Sequence, residues 1–229
     1  MIRKFIGFFI VFGSVLAFPV LKLHAQSGFE GTITWAVSIP QMGDDEKHEL
    51  KLNIKGDKLE SELDLGGMGY AKSFVDPSAK KVYSLMTGMK AGRVTDLQSD
   101  SSLKASESGV VLKPTGKKDT VAGHTASEYT FKDAGGDVSV SACSGFPKIL
   151  SKLGDQLMRD QQDGKMQGAL NQLSKMGLFP VKVVVSKDGE EQLSMEFVKY
   201  EEKKLDDALF VAPTDIKYQS QPQMGGGTN

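Results

Sequence analysis

The sequence predicts a mainly β, α+β fold: a curved antiparallel sheet or half-open barrel of about 10–11 strands. Two short helices, at about residues 146–176, are expected on its concave face. Three observations predict it. Apolar and polar residues alternate at period two through most of the chain. Short Gly- and Asp-containing turns separate the alternating runs, as in hairpins. The period then lengthens once to helical spacing, between Phe146 and Met176.

The first segment obeys a different rule. Arg3 and Lys4 precede an apolar run from Phe5 to Leu21, and Leu23-His24-Ala25 ends in a small residue. Charged, apolar, then small is the layout of a cleaved secretory signal peptide, here residues 1–25. A membrane span would need about 20 unbroken apolar residues. Gly7, Gly13, Ser14 and Pro19 interrupt this run before it stops at Lys22. Cleavage after Ala25 predicts a periplasmic or secreted protein with no stable membrane span.

Strands follow. Phe29, Ile33, Trp35, Val37 and Ile39 share one face, while Glu30, Thr32, Thr34 and Ser38 share the other, which is expected to be polar and outward. Leu50, Leu52 and Ile54 repeat the pattern, Lys55-Gly56-Asp57-Lys58 turns the chain, and Leu59, Leu63 and Leu65 return. Glu60, Glu62 and Asp64 are then expected to face water. Further runs span Tyr70 to Val75, Val82 to Met86, Arg93 to Leu97, Gly109 to Lys113, His124 to Phe131 and Val138 to Val140. Phe146, Ile149, Leu150, Leu153, Leu157 and Met158 predict the first helix. After Gly164, Met166, Ala169, Leu170, Leu173 and Met176 predict the second. Val181, Val183 and Val185, the turn Lys187-Asp188-Gly189-Glu190, and Leu193, Met195 and Phe197 form a last long hairpin. A single β-rich domain over residues 28–218 and a disordered tail over 219–229 are expected. A flat two-layer α+β sandwich is the alternative packing of the same elements.

Charge and cysteine usage narrow the function. Losing Arg3, Lys4 and Lys22 with the signal leaves 25 basic groups against 29 acidic ones. That balance does not favour nucleic acid, which calls for a basic patch. Cys143 is the one cysteine, so no intrachain disulfide forms and the core must supply the stability. It lies far from the cleavage region, so it is not the lipidated first residue of a lipoprotein.

The motifs of catalysis are missing. His48-Glu49 lacks the second histidine of a metalloprotease helix, since position 52 is Leu52. His48 and His124 stand in separate strands and are expected to be exposed polar residues. No G-x-S-x-G elbow occurs, and a Cys143–His124 thiol pair would lack an orienting third residue. Gly66-Gly67-Met68-Gly69 lacks the Lys and Ser or Thr of a phosphate loop. No catalytic residue, metal ligand or cofactor is therefore expected. The helical Met158, Met166 and Met176 suit either a plain core or a surface that accepts apolar ligands of variable shape.

Two segments carry a resemblance. The run from Thr115 to Tyr129, with Val121-Ala122-Gly123-His124 at its centre, resembles the central signature of an exported bacterial family catalogued as domain of unknown function 4412. Leu205-Asp206-Asp207-Ala208-Leu209-Phe210-Val211-Ala212-Pro213 resembles its closing motif, which is similar to one in the lipoprotein carriers LolA and LolB. The resemblance implies a half-open barrel and brings no activity with it. Val138 to Cys143 replaces the aromatic-rich strand the family places after Tyr129.

Two functions compete on these grounds. One is an exported binding module that shelters a lipid acyl chain, with Trp35, Ile33, Val37, Leu52, Phe74, Leu153, Leu157 and Phe197 as its apolar lining. Its partners would be a lipid or lipoprotein, or an envelope protein. The other is a non-catalytic structural or interaction domain with a filled core. A hydrolase with a site hidden from sequence motifs is a third, weaker reading.

Overall fold

A computed structural model describes residues 29–40, 46–87, 91–96, 110–133, 136–146 and 165–220. Among them, twelve strands form one sheet. They are β1 (Glu30–Ser38), β2 (His48–Lys55), β3 (Lys58–Asp64), β4 (Tyr70–Asp76), β5 (Lys81–Met86), β6 (Ala91–Asp96), β7 (Lys113–Val121), β8 (His124–Asp133), β9 (Gly136–Cys143), β10 (Phe179–Lys187), β11 (Glu190–Glu202) and β12 (Lys217–Ser220). One helix, α1 (Lys165–Lys175), precedes β10.

The strand order, β12-β6-β5-β4-β3-β2-β1-β11-β10-β9-β8-β7, describes two meanders joined where β1 pairs with β11. Every pairing is antiparallel except that of β12, which lies parallel to β6. Turn chemistry sets the hairpins. Ala122 and Gly123 between β7 and β8, and Asp188 and Gly189 between β10 and β11, all have positive φ. Two such residues in succession match the strand twist. The sheet is open, with β12 and β7 at its edges. β7 shields its edge with Pro114 and the exposed Lys113, Lys117 and Lys118.

Bulges bend the sheet. Val198 is an extra residue of β11 opposite the Thr34/Trp35 step of β1, and Val181 is an extra residue of β10 beside Pro180. Proline has no N–H for the ladder, so an irregular position suits it. The curl brings β7 against β11 despite three intervening strands, and Lys182 of β10 reaches Asp119 of β7 at 3.4 Å.

The main core lies on one face, called inner below. Ile33, Trp35, Val37, Leu50, Leu52, Ile54, Leu59 and Leu63 supply one half of it. Val140, Val183, Met195 and Phe197 supply the other, with Met166, Ala169, Leu170 and Leu173 of α1. The helix packs on β10 and β8. Gln172 fixes it to the segment before β7, donating to the Val110 carbonyl at 2.5 Å.

The other face is not simply wet. Residues 203–216 cross it as a strap: Leu205 N donates to Glu30 Oε1 at 2.7 Å, and Lys58 pairs with Asp207 at 2.8 Å. The strap's 3-10 turn Asp207–Phe210 rests on β3 and β4. Leu205 and Phe210 are buried there with Phe74 and Leu85, apart from the main core.

Several expectations need correction. Thr32 and Thr34 are buried, as is Glu60 on the strap side. Thr32 Oγ1 donates to Asn53 Oδ1 and Asn53 Nδ2 to Glu60 Oε2, each at 2.7 Å. His48 is buried and His124 half-buried; neither is an exposed polar residue. The strand expected over Gly109 to Lys113 begins instead at Lys113 and runs through Thr115 to Val121, and Gln219 and Ser220 close β12 where a disordered tail is expected. The second expected helix is α1. The first helix, Leu153 and Leu157, the signal segment and residues 221–229 lie outside the described residues.

Candidate functional site

Register places each expected lining residue. Ile33 stands opposite Leu52, Trp35 opposite Leu50 and Phe197, and Val37 opposite His48 and Met195. Ile33, Trp35, Val37, Leu52 and Phe197 therefore share the inner face, and all are buried. Phe74 does not join them. It pairs with Glu60, Glu60 with Asn53 and Asn53 with Thr32, the neighbour of Ile33 on the opposite side. Phe74 belongs to the strap face, because successive residues of a strand point to opposite sides.

Trp35 organises an aromatic series. Its ring centroid lies 5.8 Å from Phe179 and 5.9 Å from Phe197. Phe146 continues the series at 4.5 Å from Phe179, then His124 at 4.6 Å and Tyr200 at 6.1 Å from Phe146. Tilted and edge-on rings at such spacing attract beyond their buried area. The bulge at Val198 makes the series continuous. Tyr200 pairs with Ile33 and Phe197 with Trp35, so both face inward although three positions apart. Exposure rises along the series: Trp35, Phe179 and Phe197 are buried, Phe146 and His124 half-buried, and Tyr200 is 37% exposed.

Sequence periodicity missed part of this group. Helical spacing places Phe146 in a helix, but it sits just past β9, and His124 stacks on it as an aromatic ring. The signal for Phe179 was present, since it keeps period two with Val181 and Val183.

Polar atoms interrupt the inner face at few places. Ser73 and Ser84 share a hydrogen bond of 2.9 Å. Ser61 Oγ and Trp35 Nε1 are buried without a partner. Each such orphan costs about 1–3 kcal/mol. The Cys143 thiol is buried, and desolvation pushes its pKa up. That disfavours the thiolate a nucleophile would need. Burial likewise raises the Glu60 carboxyl, against the opposing pull of Asn53 and Lys72. Among the described residues no group of three or more His, Cys, Asp or Glu is gathered as for a metal. No described helix is long and apolar enough to cross a membrane.

These features define an open, curled β-sheet with an apolar, aromatic inner face and a strapped outer one. The chain belongs to the family described as Domain of unknown function (DUF4412), which it matches over residues 29–216. No curated protein matches its sequence. It is similar to a structure of PNGF-II at 12% identity and a TM-score of 0.43, covering 85% of this chain and 31% of that one. It is also similar to the MucA/MucB complex of Pseudomonas aeruginosa, at 13% identity and a TM-score of 0.43 over 86% and 60% of the two chains. A LolA superfamily protein, NE2245 from Nitrosomonas europaea, aligns at 9% identity and a TM-score of 0.33, over 87% and 94%. The chain thus spans about a third of the first of these and three-fifths of the second.

Proposed function

We propose that this protein is an exported, non-catalytic binding module that shelters the acyl part of a lipid or lipoprotein against the inner face of its sheet. The observation that carries the reading is the ring series from Trp35 to Tyr200, an apolar route from the interior to the surface. Affinity needs no catalytic group. Burying about 12 methylenes at roughly 0.8 kcal/mol each yields near 10 kcal/mol before ordering costs.

Trp35 reports on it directly. With laurate or a lipopeptide titrated in, its emission should shift and saturate. Native mass spectrometry of protein taken from its own envelope should show a co-purified lipid, and N-terminal sequencing of that material should begin just after Ala25. Unshifted emission and a lipid-free mass would reject the carrier reading.

A second reading, an interaction domain with a filled core, draws on the complete burial of Ile33 and Leu52, which a ligand would have to touch. On that reading Trp35 is ordinary core. Trp35→Ala then costs about 3–5 kcal/mol in a urea titration, and added lipid recovers none of it.

A further inference from the structure

The inner face changes character from one side of β2 to the other. On β1 and β2 its residues are bulky: Ile33, Trp35, Leu50, Leu52 and Ile54. The row through Ile33 and Leu52 continues across β3, β4 and β5 as Ser61, Ser73 and Ser84. Three small hydroxyl residues thus stand side by side, with Leu59 and Leu63 flanking Ser61 along β3. A core built only for packing gains nothing from such a row, because each hydroxyl must find a partner once water is excluded.

Ser73 and Ser84 satisfy one another. Ser61, with no exposed surface, has no partner, and neither does the Trp35 indole N–H, itself 2% exposed and on the same face. The indole can only donate, so the complementary group is an acceptor. That acceptor should be uncharged. Arg93, which continues the row on β6, is exposed and already has a partner. It also stands three strands from Ser61, about 14 Å. No Lys or Arg of β2, β3 or β4 shares the inner face with Ser61, so these strands offer an anion there no such partner.

We propose that Ser61 and Trp35 form the polar end of the ligand site and donate hydrogen bonds to the ester oxygens of a neutral acyl ester. This rests on the carrier reading and adds the head group to it. Methyl laurate, laurate and tridecane, equal in apolar length to within a carbon or so, separate the two ideas when titrated against Trp35 fluorescence and by native mass spectrometry.

Wild-type protein should bind the ester about tenfold more tightly than the alkane, as two buried hydrogen bonds worth about threefold each would give. Ser61→Ala should cut that preference to about threefold while keeping the alkane affinity. Trp35→Phe, read by mass spectrometry, should cut it to a similar extent with the ring retained. Equal affinity for ester and alkane, or an unchanged preference in Ser61→Ala, overturns the ester site and leaves the carrier reading standing. Tighter binding of laurate than of the ester overturns the neutral head group. If none of the three binds, the carrier reading fails and takes this site with it.

Discussion

Glu60 is the residue whose environment contradicts its chemistry most. It is 3% exposed on the strap face, receives a hydrogen bond from Asn53 and lies 3.9 Å from Lys72. Burial is the largest influence on it and raises its pKa in the folded protein above the ordinary 4.5. A carboxyl raised on folding adds stability below its unfolded pKa, and that contribution is lost as pH rises through the folded value. Glu60→Gln keeps an acceptor for Asn53 and has no charge to desolvate. The unfolding free energy of wild type relative to this variant should therefore fall as pH is raised from 4 to 8, measured by urea titration at each pH. A constant difference would show that Lys72 and Asn53 compensate the buried charge fully.

At the scale of elements, the β1–β11 pairing matters most, because it alone joins the two meanders. Gly31 makes that contact close: a Cβ there would overlap the backbone carbonyl of Glu201. Gly31→Ala must push the strands apart next to the bulge at Val198. It should cost about 1–3 kcal/mol, as overpacking does, with the loss read by thermal unfolding. The helix is held by contacts of a different kind. Leu173 is fully buried where α1 meets the sheet, so Leu173→Ala should cost about 2–5 kcal/mol by urea titration. Met176, one residue past the helix, is 55% exposed and should tolerate the same change within about 0.5 kcal/mol.

At the scale of the whole molecule, a sheet with both faces partly apolar needs two covers. The inner face has α1, and the outer face has the strap with Leu205 and Phe210. The strap's ion pairs among Lys55, Lys58 and Asp207 are at least partly exposed, so each adds little stability. Burial of Phe210 and Phe74 holds it instead. Phe210→Ala should cost about 3–5 kcal/mol if the strap stays down. If the strap peels away instead, the cost is smaller and the variant binds more of a hydrophobic dye than wild type does, at the uncovered Phe74 and Leu85. A variant with unchanged stability and no added dye binding would remove the strap from the account of the fold.

Most of the strands, their hairpin turns and the apolar side of β1, β2 and β11 near Trp35 are legible in the order of the amino acids. Those features are local: a two-residue period and a positive-φ turn need no distant partner to be recognised. That order also marks the chain's kinship through the Val121-Ala122-Gly123-His124 turn and the segment from Leu205 to Pro213. The sidedness of Phe74, the burial of Glu60, and the gathering of His124, Phe197 and Tyr200 around Phe146 emerge only in the folded chain. Each depends on something period two cannot carry. A bulge shifts the alternation by one residue, so that Phe197 and Tyr200 both turn inward. A strap from the chain's far end dries a face that alternation marks as wet, because whether a strand side is buried depends on what the rest of the chain lays across it.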